Sequence, residues 1–194
     1  MPDEVQTLHL DMPKEAREVF TGETFSVYQW PQRMYDGSIA TFERIKRNNS
    51  SAVVAITKEQ KIVVAYQEQP LHKPFWGVLG GVVDTGETPF EASVRELKEE
   101  AGMVSNDWEQ WFSFRPAVRI EWTQYAFVAR NAEIVAEPHL DAGEKITLHE
   151  VSFAEFMQLI QRNDFRDTEV SLQMLKAMAD PIKMATVKTL FFGA

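Results

Sequence analysis

The 194-residue sequence contains no cysteine, and this absence excludes disulfide bonds, thiol nucleophiles and thiolate metal sites. Basic residues are also scarce, since 20 Lys and Arg stand against 29 Asp and Glu and give a net charge of −9. This charge opposes non-specific binding to nucleic-acid phosphates and to anionic membranes. Neither a nucleic acid nor a membrane is therefore expected as a partner.

Long apolar runs and signal-peptide features are lacking as well. No apolar segment approaches the roughly 18 residues of a membrane span, and residues 1–4 (MPDE) do not begin a basic and then apolar leader. A cytoplasmic location is expected. The sequence also lacks a fixed-period repeat and a long Gly-, Ser- or Pro-rich linker, which favours one main core.

The sequence does contain several β-rich segments in its first third. Residues 24–30 and 38–47 flank an Asp36-Gly37 turn signal, and this pattern predicts a hairpin. Residues 52–57 and 61–67 are rich in Val and Ile and predict a second hairpin with well-buried strands.

From residue 88 the hydrophobic period becomes helical. Thr88 is a good N-cap, Pro89 suits the first helical position, and Glu91 completes a capping box. Gly102 is a natural stop, so a helix is predicted over residues 88–101.

The rest of the chain mixes strands and helices. Strands are predicted at residues 122–130 and, more weakly, at 146–151. A second capping box, Ser152-Phe153-Ala154-Glu155, begins a helix, and another helix is predicted from about residue 168 to 179. The pattern of the tail, residues 182–194, is ambiguous.

Three glutamates share one face of the predicted helix at residues 88–101. With Glu96 set at zero and about 100° per residue, Glu99 lies near −60° and Glu100 near +40°. The opposite face carries the apolar residues Phe90, Val94, Leu97 and Ala101. The apolar face is expected to pack on the core and the acidic face to point outward.

This acidic face suits a hard cation. Glu96 and Glu100 form a like-charge i,i+4 pair, and Glu99 adds to the repulsion, which a bound cation would relieve. Mg²⁺ prefers carboxylate and carbonyl oxygens and keeps sites free for substrate phosphates. The preceding Gly80-Gly81 allows the backbone to approach such a metal closely.

A solvated acidic surface is the ordinary alternative for a Glu-rich helix. The spacing of the whole segment favours the metal site instead. It runs Gly81, five residues, Glu87, seven residues, Arg95-Glu96-Leu97, one residue, Glu99-Glu100, one residue, Gly102-Met103. A chance match to such a pattern in this chain has a probability on the order of 10⁻⁸ to 10⁻⁷.

At these residues the sequence resembles the Nudix hydrolases and matches every defining position of their signature box. The resemblance implies an α/β/α sandwich around a mixed central sheet, in the broader α+β class. It also implies cleavage of a nucleoside diphosphate linked to another group, with Mg²⁺ or, alternatively, Mn²⁺ as the metal cofactor.

The same resemblance implies roles for the residues of the box. Glu96 and Glu100 would be the main metal ligands, Glu99 would assist, and Gly80 would offer its carbonyl. Arg95 would hold the glutamates in orientation, together with Glu87.

The order of elements resembles the ADP-ribose and nucleotide-sugar pyrophosphatase branch of that family. There a mobile loop carries a further glutamate, and Glu144 in residues 140–146 is similar to it. Glu144 is therefore a candidate base or outer metal contact, against the alternative of an ordinary surface glutamate on a loop. A carboxylate must take the proton from the attacking water, and Glu99, Glu100 and Glu144 remain open as this general base.

The resemblance also implies an organisation for the chain. Residues 1–50 form a β-rich extension with an N-terminal hairpin, which is a candidate dimerisation element, and residues 51–194 form the hydrolase domain with C-terminal helices. A homodimer is therefore expected.

Three further residues are candidates for contacting the substrate. Trp30 has the aromatic ring that could stack on a base, against the alternative of packing in the core or at a dimer interface. Arg115 and Arg119 could bind a phosphate or a ribose, against the alternative of ordinary solvent exposure.

The predicted partner is thus a small-molecule nucleoside diphosphate derivative such as ADP-ribose, cleaved to a nucleoside monophosphate and a second phosphorylated product. Two alternatives of other classes stay open. One is a Nudix-fold nucleotide sensor without turnover, and the other is a pyrophosphohydrolase of RNA ends or nucleoside triphosphates.

Overall fold

The computed structural model describes residues 10–193, which form eleven strands and four helices. The strands are β1 (Arg17–Thr21), β2 (Phe25–Arg33), β3 (Ile39–Arg47), β4 (Ser50–Thr57), β5 (Ile62–Glu68), β6 (Phe75–Gly77), β7 (Met103–Val104), β8 (Asp107–Phe114), β9 (Ile120–Glu121), β10 (Gln124–Ile134) and β11 (Lys145–Val151). The helices are α1 (Pro89–Ala101), α2 (Phe153–Leu159), α3 (Thr168–Met178) and α4 (Pro181–Phe192). In the described part of the chain, no helix is long and apolar enough to cross a membrane.

The main sheet has seven strands and mixed pairing. Its central path runs β11-β5-β4-β10-β7, with β6 paired to β5 and β8 paired to β10. Strands β4 and β10 are parallel, whereas β5 runs antiparallel to β4. A second sheet of four strands has the order β1-β2-β3-β9.

Helices cover both faces of the main sheet, as the alternation of side chains along β4 shows. Val53 and Ala55 pack with Leu97 of α1 in one buried cluster. Val54 packs in a second cluster on the opposite face, with the buried residues Phe156 of α2, Met174 of α3 and Phe191 of α4. The predicted α/β/α sandwich around a mixed sheet is thereby confirmed.

The local signals for α1 are confirmed in detail. The side chain of Thr88 accepts a hydrogen bond from the N–H of Glu91, and the Glu91 carboxylate accepts one from the N–H of Thr88. Gly102 ends the helix in the left-handed conformation, at φ 62°. One detail was wrong: Phe90 and Val94 are only partly covered and remain 43% and 40% exposed.

Several other elements differ from the sequence prediction. Strands β1, β6, β7, β8 and β9 were not predicted, because they are short or polar and none alternates cleanly. The ambiguous tail forms α4, which Asp180 caps through the N–H groups of Ile182 and Lys183. The strand predicted at residues 122–130 instead occupies Gln124–Ile134.

The predicted extension, residues 1–50, contains β1, β2 and β3. Residues 1–9 of it lie outside the described residues, and β9 joins its sheet from residues 120–121. The division after residue 50 falls inside β4, directly after its first residue, and stays a prediction.

Candidate active site

A cavity of about 500 Å³ opens at one edge of the main sheet. Strands β4 and β10 begin at this edge and the antiparallel β5 ends there, so Ser50, Gln124 and Gln67 all line the cavity. The acidic face of α1 forms another wall. Further lining residues are Arg47, Gln69, Phe75, Gly80, Gly81, Arg95, Glu96, Glu99, Glu100, Trp122, His139, Asp141, Glu144, Arg166, Asp167 and Glu169.

Glu100 is the most deeply buried carboxylate of this wall, with only 4% exposure. Its Oε2 accepts a hydrogen bond of 2.7 Å from the N–H of Gly80. Burial, helped by the negative charges of Glu96, Glu144 and Asp167, raises the pKa of Glu100 to about 9. The expectation that the acidic face points outward is wrong for Glu100, because at +40° it lies next to the apolar face of α1.

A side chain would not fit at position 80 or 81, for a different reason at each. Gly80 adopts φ 135°, and a Cβ there would lie 2.2 Å from the carbonyl oxygen of Ser51 in β4. A Cβ on Gly81 would lie 2.3 Å from Oε1 of Glu96. The Gly80-Gly81 backbone is therefore packed between β4 and the carboxylates of α1.

Arg95 connects four groups around the acidic face. Its Nε and Nη2 contact the Glu87 carboxylate at 3.0 and 3.1 Å. Its Nη1 donates to Glu96 at 2.7 Å and to Glu99 at 2.9 Å, and Nη2 also donates to the Val82 carbonyl. The bidentate pair with Glu87 fixes the plane of the guanidinium, which in turn positions Glu96 and Glu99.

These contacts and burial shift the pKa values of the carboxylates in opposite directions. The hydrogen bonds from Arg95 lower the pKa of Glu87, so this group stays charged. Burial raises the pKa of Glu96 despite its contact with Arg95. The Arg95 pKa is raised, chiefly by the hydrogen bond to Glu87. Glu87 thus balances the arginine, whereas burial makes Glu96 and Glu100 costly to keep charged unless another cation binds beside them.

The donor set fits a hard divalent metal. Carboxylates of Glu96, Glu99 and Glu100 lie on one cavity wall with the Gly80-Gly81 backbone beside them. Within residues 10–193, no three acidic or imidazole side chains already converge as a metal cluster. Arg95 Nη1 instead bridges Glu96 and Glu99, in the place where a cation would neutralise the same charges.

Glu144 lies in the same cavity, directly before β11. Its N–H donates to the carbonyl of Asp141, forming a turn that places both residues in the cavity wall. Its charge raises the pKa of Glu96 and Glu100, so its carboxylate lies near theirs. The structure therefore brings Glu144 together with the glutamates of α1.

The other three predicted residues lie away from this cavity. Trp30 is buried in the second sheet against Phe42, with ring centroids 6.1 Å apart. Arg115 Nη1 lies 2.7 Å from Asp11, and the Arg119 guanidinium lies over the Phe42 ring. Their role in substrate binding stays a prediction.

The sequence analysis did not identify two arginines that line the cavity and stack on aromatic rings. Arg47 lies 5.1 Å from the Trp122 ring centroid and Arg166 lies 4.9 Å from that of Phe75. It also missed Asp167, whose Oδ2 accepts a hydrogen bond of 2.8 Å from the N–H of Val78. Burial raises the pKa of Asp167 to about 6. No sequence motif marks these residues, because only the fold brings them to the cavity.

Residues 46–176 match the NUDIX domain, and this match spans more than half of the chain. The chain belongs to the NUDIX family. The resemblance to the Nudix hydrolases at the signature box is thereby confirmed, together with the prediction of a Nudix-type enzyme that hydrolyses pyrophosphate bonds. Hydrolases of this family generally use divalent metals, in agreement with the oxygen-rich wall of the cavity.

Named relatives are similar over most of this Nudix chain. An ADP-ribose pyrophosphatase of Bacillus subtilis is 25% identical over 158 residues, which cover 79% of this chain and 85% of the relative. A methanol dehydrogenase activator of Bacillus methanolicus is 26% identical over 167 residues, which cover 84% and 90%. The crystal structure of an ADP compounds hydrolase superposes with a TM-score of 0.70 at 19% identity, covering 87% of this chain and 93% of that chain, and supports the fold.

Proposed function

We propose that this protein hydrolyses the pyrophosphate bond of a nucleoside diphosphate linked to a sugar, with ADP-ribose as the first candidate substrate. Mg²⁺ is the proposed metal and Mn²⁺ the alternative, since both suit oxygen ligands. The ADP-ribose pyrophosphatases among its relatives support this substrate class. The products would be AMP and ribose 5-phosphate.

One observation carries the proposal: the glutamates of α1 and the Gly80-Gly81 backbone meet in a cavity large enough for a nucleotide sugar. We assign Glu96 and Glu100 as the main metal ligands, Glu99 as an assisting ligand and the Gly80 carbonyl as a backbone ligand. A bound divalent metal would neutralise the diphosphate and lower the pKa of a coordinated water.

The protein side chains have separate tasks in this mechanism. Arg95 and Glu87 keep Glu96 and Glu99 oriented toward the cavity through their network of charged hydrogen bonds. The N–H of Gly80 holds Glu100 at the bottom of the cavity. Because these contacts exist before substrate binds, little reorganisation is needed during the reaction.

We infer that Glu144 is the general base that takes the proton from the attacking water. Glu99 and Glu100 remain alternatives, but both already have partners, Arg95 for Glu99 and the Gly80 N–H for Glu100. Within residues 10–193, Glu144 has no side-chain ion pair or hydrogen bond. A carboxylate in the cavity without a partner is available to accept a proton.

We further propose that the chain acts as a homodimer through its N-terminal sheet. Every residue of β1 is exposed. The rings of Phe20 and Phe25 are also exposed, and their centroids lie 6.2 Å apart. Apolar side chains on an exposed sheet are typical of an interface. Trp30, Arg115 and Arg119 belong to this region, and we propose that they contact the substrate bound in the second copy. Light scattering tests the dimer directly.

A hydrolysis screen tests the proposed activity. Purified protein is incubated with Mg²⁺ or Mn²⁺ and with ADP-ribose, other nucleotide sugars, dinucleotide cofactors, nucleoside triphosphates or capped RNA, beside the Glu100→Gln variant. Release of AMP and ribose 5-phosphate by the wild type alone supports the proposal. Binding of nucleotide without turnover would favour the sensor, and selective turnover of triphosphates or RNA would favour the other alternative.

A further inference from the structure

We propose that Arg166 and Asp167, in the connection between α2 and α3, bind the sugar-phosphate half of the substrate, which comprises the distal sugar and the phosphate that it carries. In this assignment Arg166 binds the distal phosphate and Asp167 accepts a hydrogen bond from a hydroxyl of the distal sugar. The inference rests on the proposed function, because it names the site for one half of that substrate.

The backbone of this connection is fixed to a wall of the cavity. The N–H of Trp76 in β6 donates to the Asp164 carbonyl at 2.7 Å, and the N–H of Arg166 donates to the Trp76 carbonyl at 2.8 Å. Residues 164–166 thus pair with β6 as a short additional strand would. Arg166 and Asp167 are therefore held at the cavity by main-chain hydrogen bonds.

The Arg166 guanidinium is arranged to receive an anion. It stacks at 4.9 Å from the Phe75 ring centroid, and Nη1 donates to Gln69 Oε1 at 3.2 Å. Among residues 10–193 it has no carboxylate within ion-pair distance, whereas Arg95 in the same cavity has three such partners. Its remaining N–H groups match the oxygens of a phosphate.

The side chain of Asp167 is placed to contact a ligand and does not cap the helix that it precedes. It is the N-cap residue of α3, but its side chain makes no capping hydrogen bond. The carboxylate turns instead toward β6, where Oδ2 accepts from the N–H of Val78 and where a Cβ on Gly77 would lie 2.7 Å from it. A carboxylate in a cavity wall is a good acceptor for sugar hydroxyls.

Arg166 and Asp167 also lie on one side of the cavity wall that the glutamates of α1 form. They adjoin β5 and β6, whereas the Arg47 and Trp122 pair adjoins the beginning of β10. The charge of Asp167 acts on Glu100, so the site borders the carboxylates of α1. A diphosphate bound on those carboxylates would therefore extend one of its two halves toward Arg166 and Asp167.

Product binding separates the two halves of the substrate. The full-length protein with Mg²⁺ is titrated with ribose 5-phosphate and with AMP, using Arg166→Gln, Arg166→Lys and Asp167→Asn. The asparagine still accepts from the Val78 N–H, so this variant is expected to fold. Arg162→Gln is the matched control, because Arg162 is exposed, pairs with Asp164 and lies outside the cavity.

We expect Arg166→Gln and Asp167→Asn to weaken ribose 5-phosphate binding by about 10-fold and to leave AMP binding within about 2-fold. Arg166→Lys should lie between, because it keeps the charge and loses the planar fork. In turnover of ADP-ribose, KM should rise more than kcat falls. Unchanged binding of ribose 5-phosphate in both variants, or a selective loss of AMP binding, would overturn the assignment. Failure of the wild type to hydrolyse ADP-ribose or another nucleotide sugar would instead contradict the proposed function.

Discussion

The N–H of Gly80 donates to Oε2 of Glu100 at 2.7 Å, which joins the loop before α1 to the last turn of that helix. This bond holds a carboxylate in a place where burial favours its protonated form. A carboxyl of this kind is costly to keep charged unless a cation binds there. The protonation of Glu100 is therefore coupled to binding of the divalent metal that the family uses.

Replacing Glu100 by Gln should abolish activity without harming the fold. The amide oxygen can still accept the hydrogen bond from Gly80, but the charge for the metal is lost. We expect kcat/KM to fall by at least about 100-fold, since even groups that only orient metal ligands contribute about 10- to 100-fold. Steady-state kinetics measure this loss, and circular dichroism checks the fold. Activity near the wild-type level would remove Glu100 from the metal site.

Titration of the Glu100 carboxyl should also make the stability of the protein depend on pH. Burial raises the pKa of Glu100 in the folded protein to about 9, from the usual 4.5. The folded state therefore holds its proton more tightly, and this contribution to stability is complete below about pH 4.5 and is lost as the pH rises through about 9. In EDTA, we expect Tm to fall by about 5 °C between pH 6 and pH 9.

Two comparisons make this pH test specific. Glu100→Gln should show a flatter dependence of Tm on pH, because the amide does not titrate. Mg²⁺ should raise Tm of the wild type most at high pH, where the ligand is deprotonated. An equally steep decline in the variant would assign the effect to other groups, of which Glu96 has its pKa raised in the same direction.

Local signals in the sequence were enough to predict α1 and its acidic face. Thr88, Glu91 and Gly102 act within a few residues of themselves, so the helix ends follow from neighbouring residues alone. The spacing of Glu96, Glu99 and Glu100 likewise determines that they share a face. These predictions required no knowledge of the tertiary structure.

The rest of the cavity depends on contacts between distant parts of the chain. Asp167 reaches Val78 across 89 residues, and Arg166 reaches Gln69 across 97 residues. Burial of Glu100 also required the position of Gly80, which depends on β4 behind it. No periodicity or motif encodes such distances, so these residues could not be predicted from the sequence.

Glu144→Gln should separate proton transfer from metal binding. If Glu144 is the general base, kcat should fall by about 100-fold or more, which is the usual contribution of such a group. The apparent affinity for Mg²⁺, measured from the metal-dependent rise in Tm, should change little. Equal losses of kcat and metal affinity would show that Glu144 acts as a ligand. Glu150→Gln in β11 is a suitable control, because Glu150 is exposed and does not line the cavity.

Arg95→Lys should weaken metal binding although it preserves the charge. A lysine cannot reproduce the bidentate pair with Glu87 and the simultaneous contacts to Glu96 and Glu99. We expect the Mg²⁺ concentration for half-maximal activity to rise by about 10-fold. Lys98→Arg on the same helix serves as the control. A lysine variant with wild-type metal dependence would exclude a positioning role for the guanidinium.

The adjacent glycines offer the sharpest contrast between folding and function. Gly80→Ala places a Cβ against the Ser51 backbone at a positive φ, so we expect a loss of about 3 kcal/mol or more in the free energy of unfolding. Gly81→Ala has no such backbone strain, and the three atoms nearest to its Cβ all belong to the Glu96 carboxylate.

In Gly81→Ala the side chain of Glu96 must move, whereas the backbone of β4 need not. We therefore expect its Tm in EDTA to stay within about 2 °C of the wild type, while the Mg²⁺-dependent activity falls by about 10-fold or more. Thermal melts with and without Mg²⁺, run beside activity assays, measure both effects. If Gly81→Ala kept full activity, Glu96 would not need its present position to hold the metal. If it unfolded as readily as Gly80→Ala, the close approach at residue 81 would serve the fold and not the site.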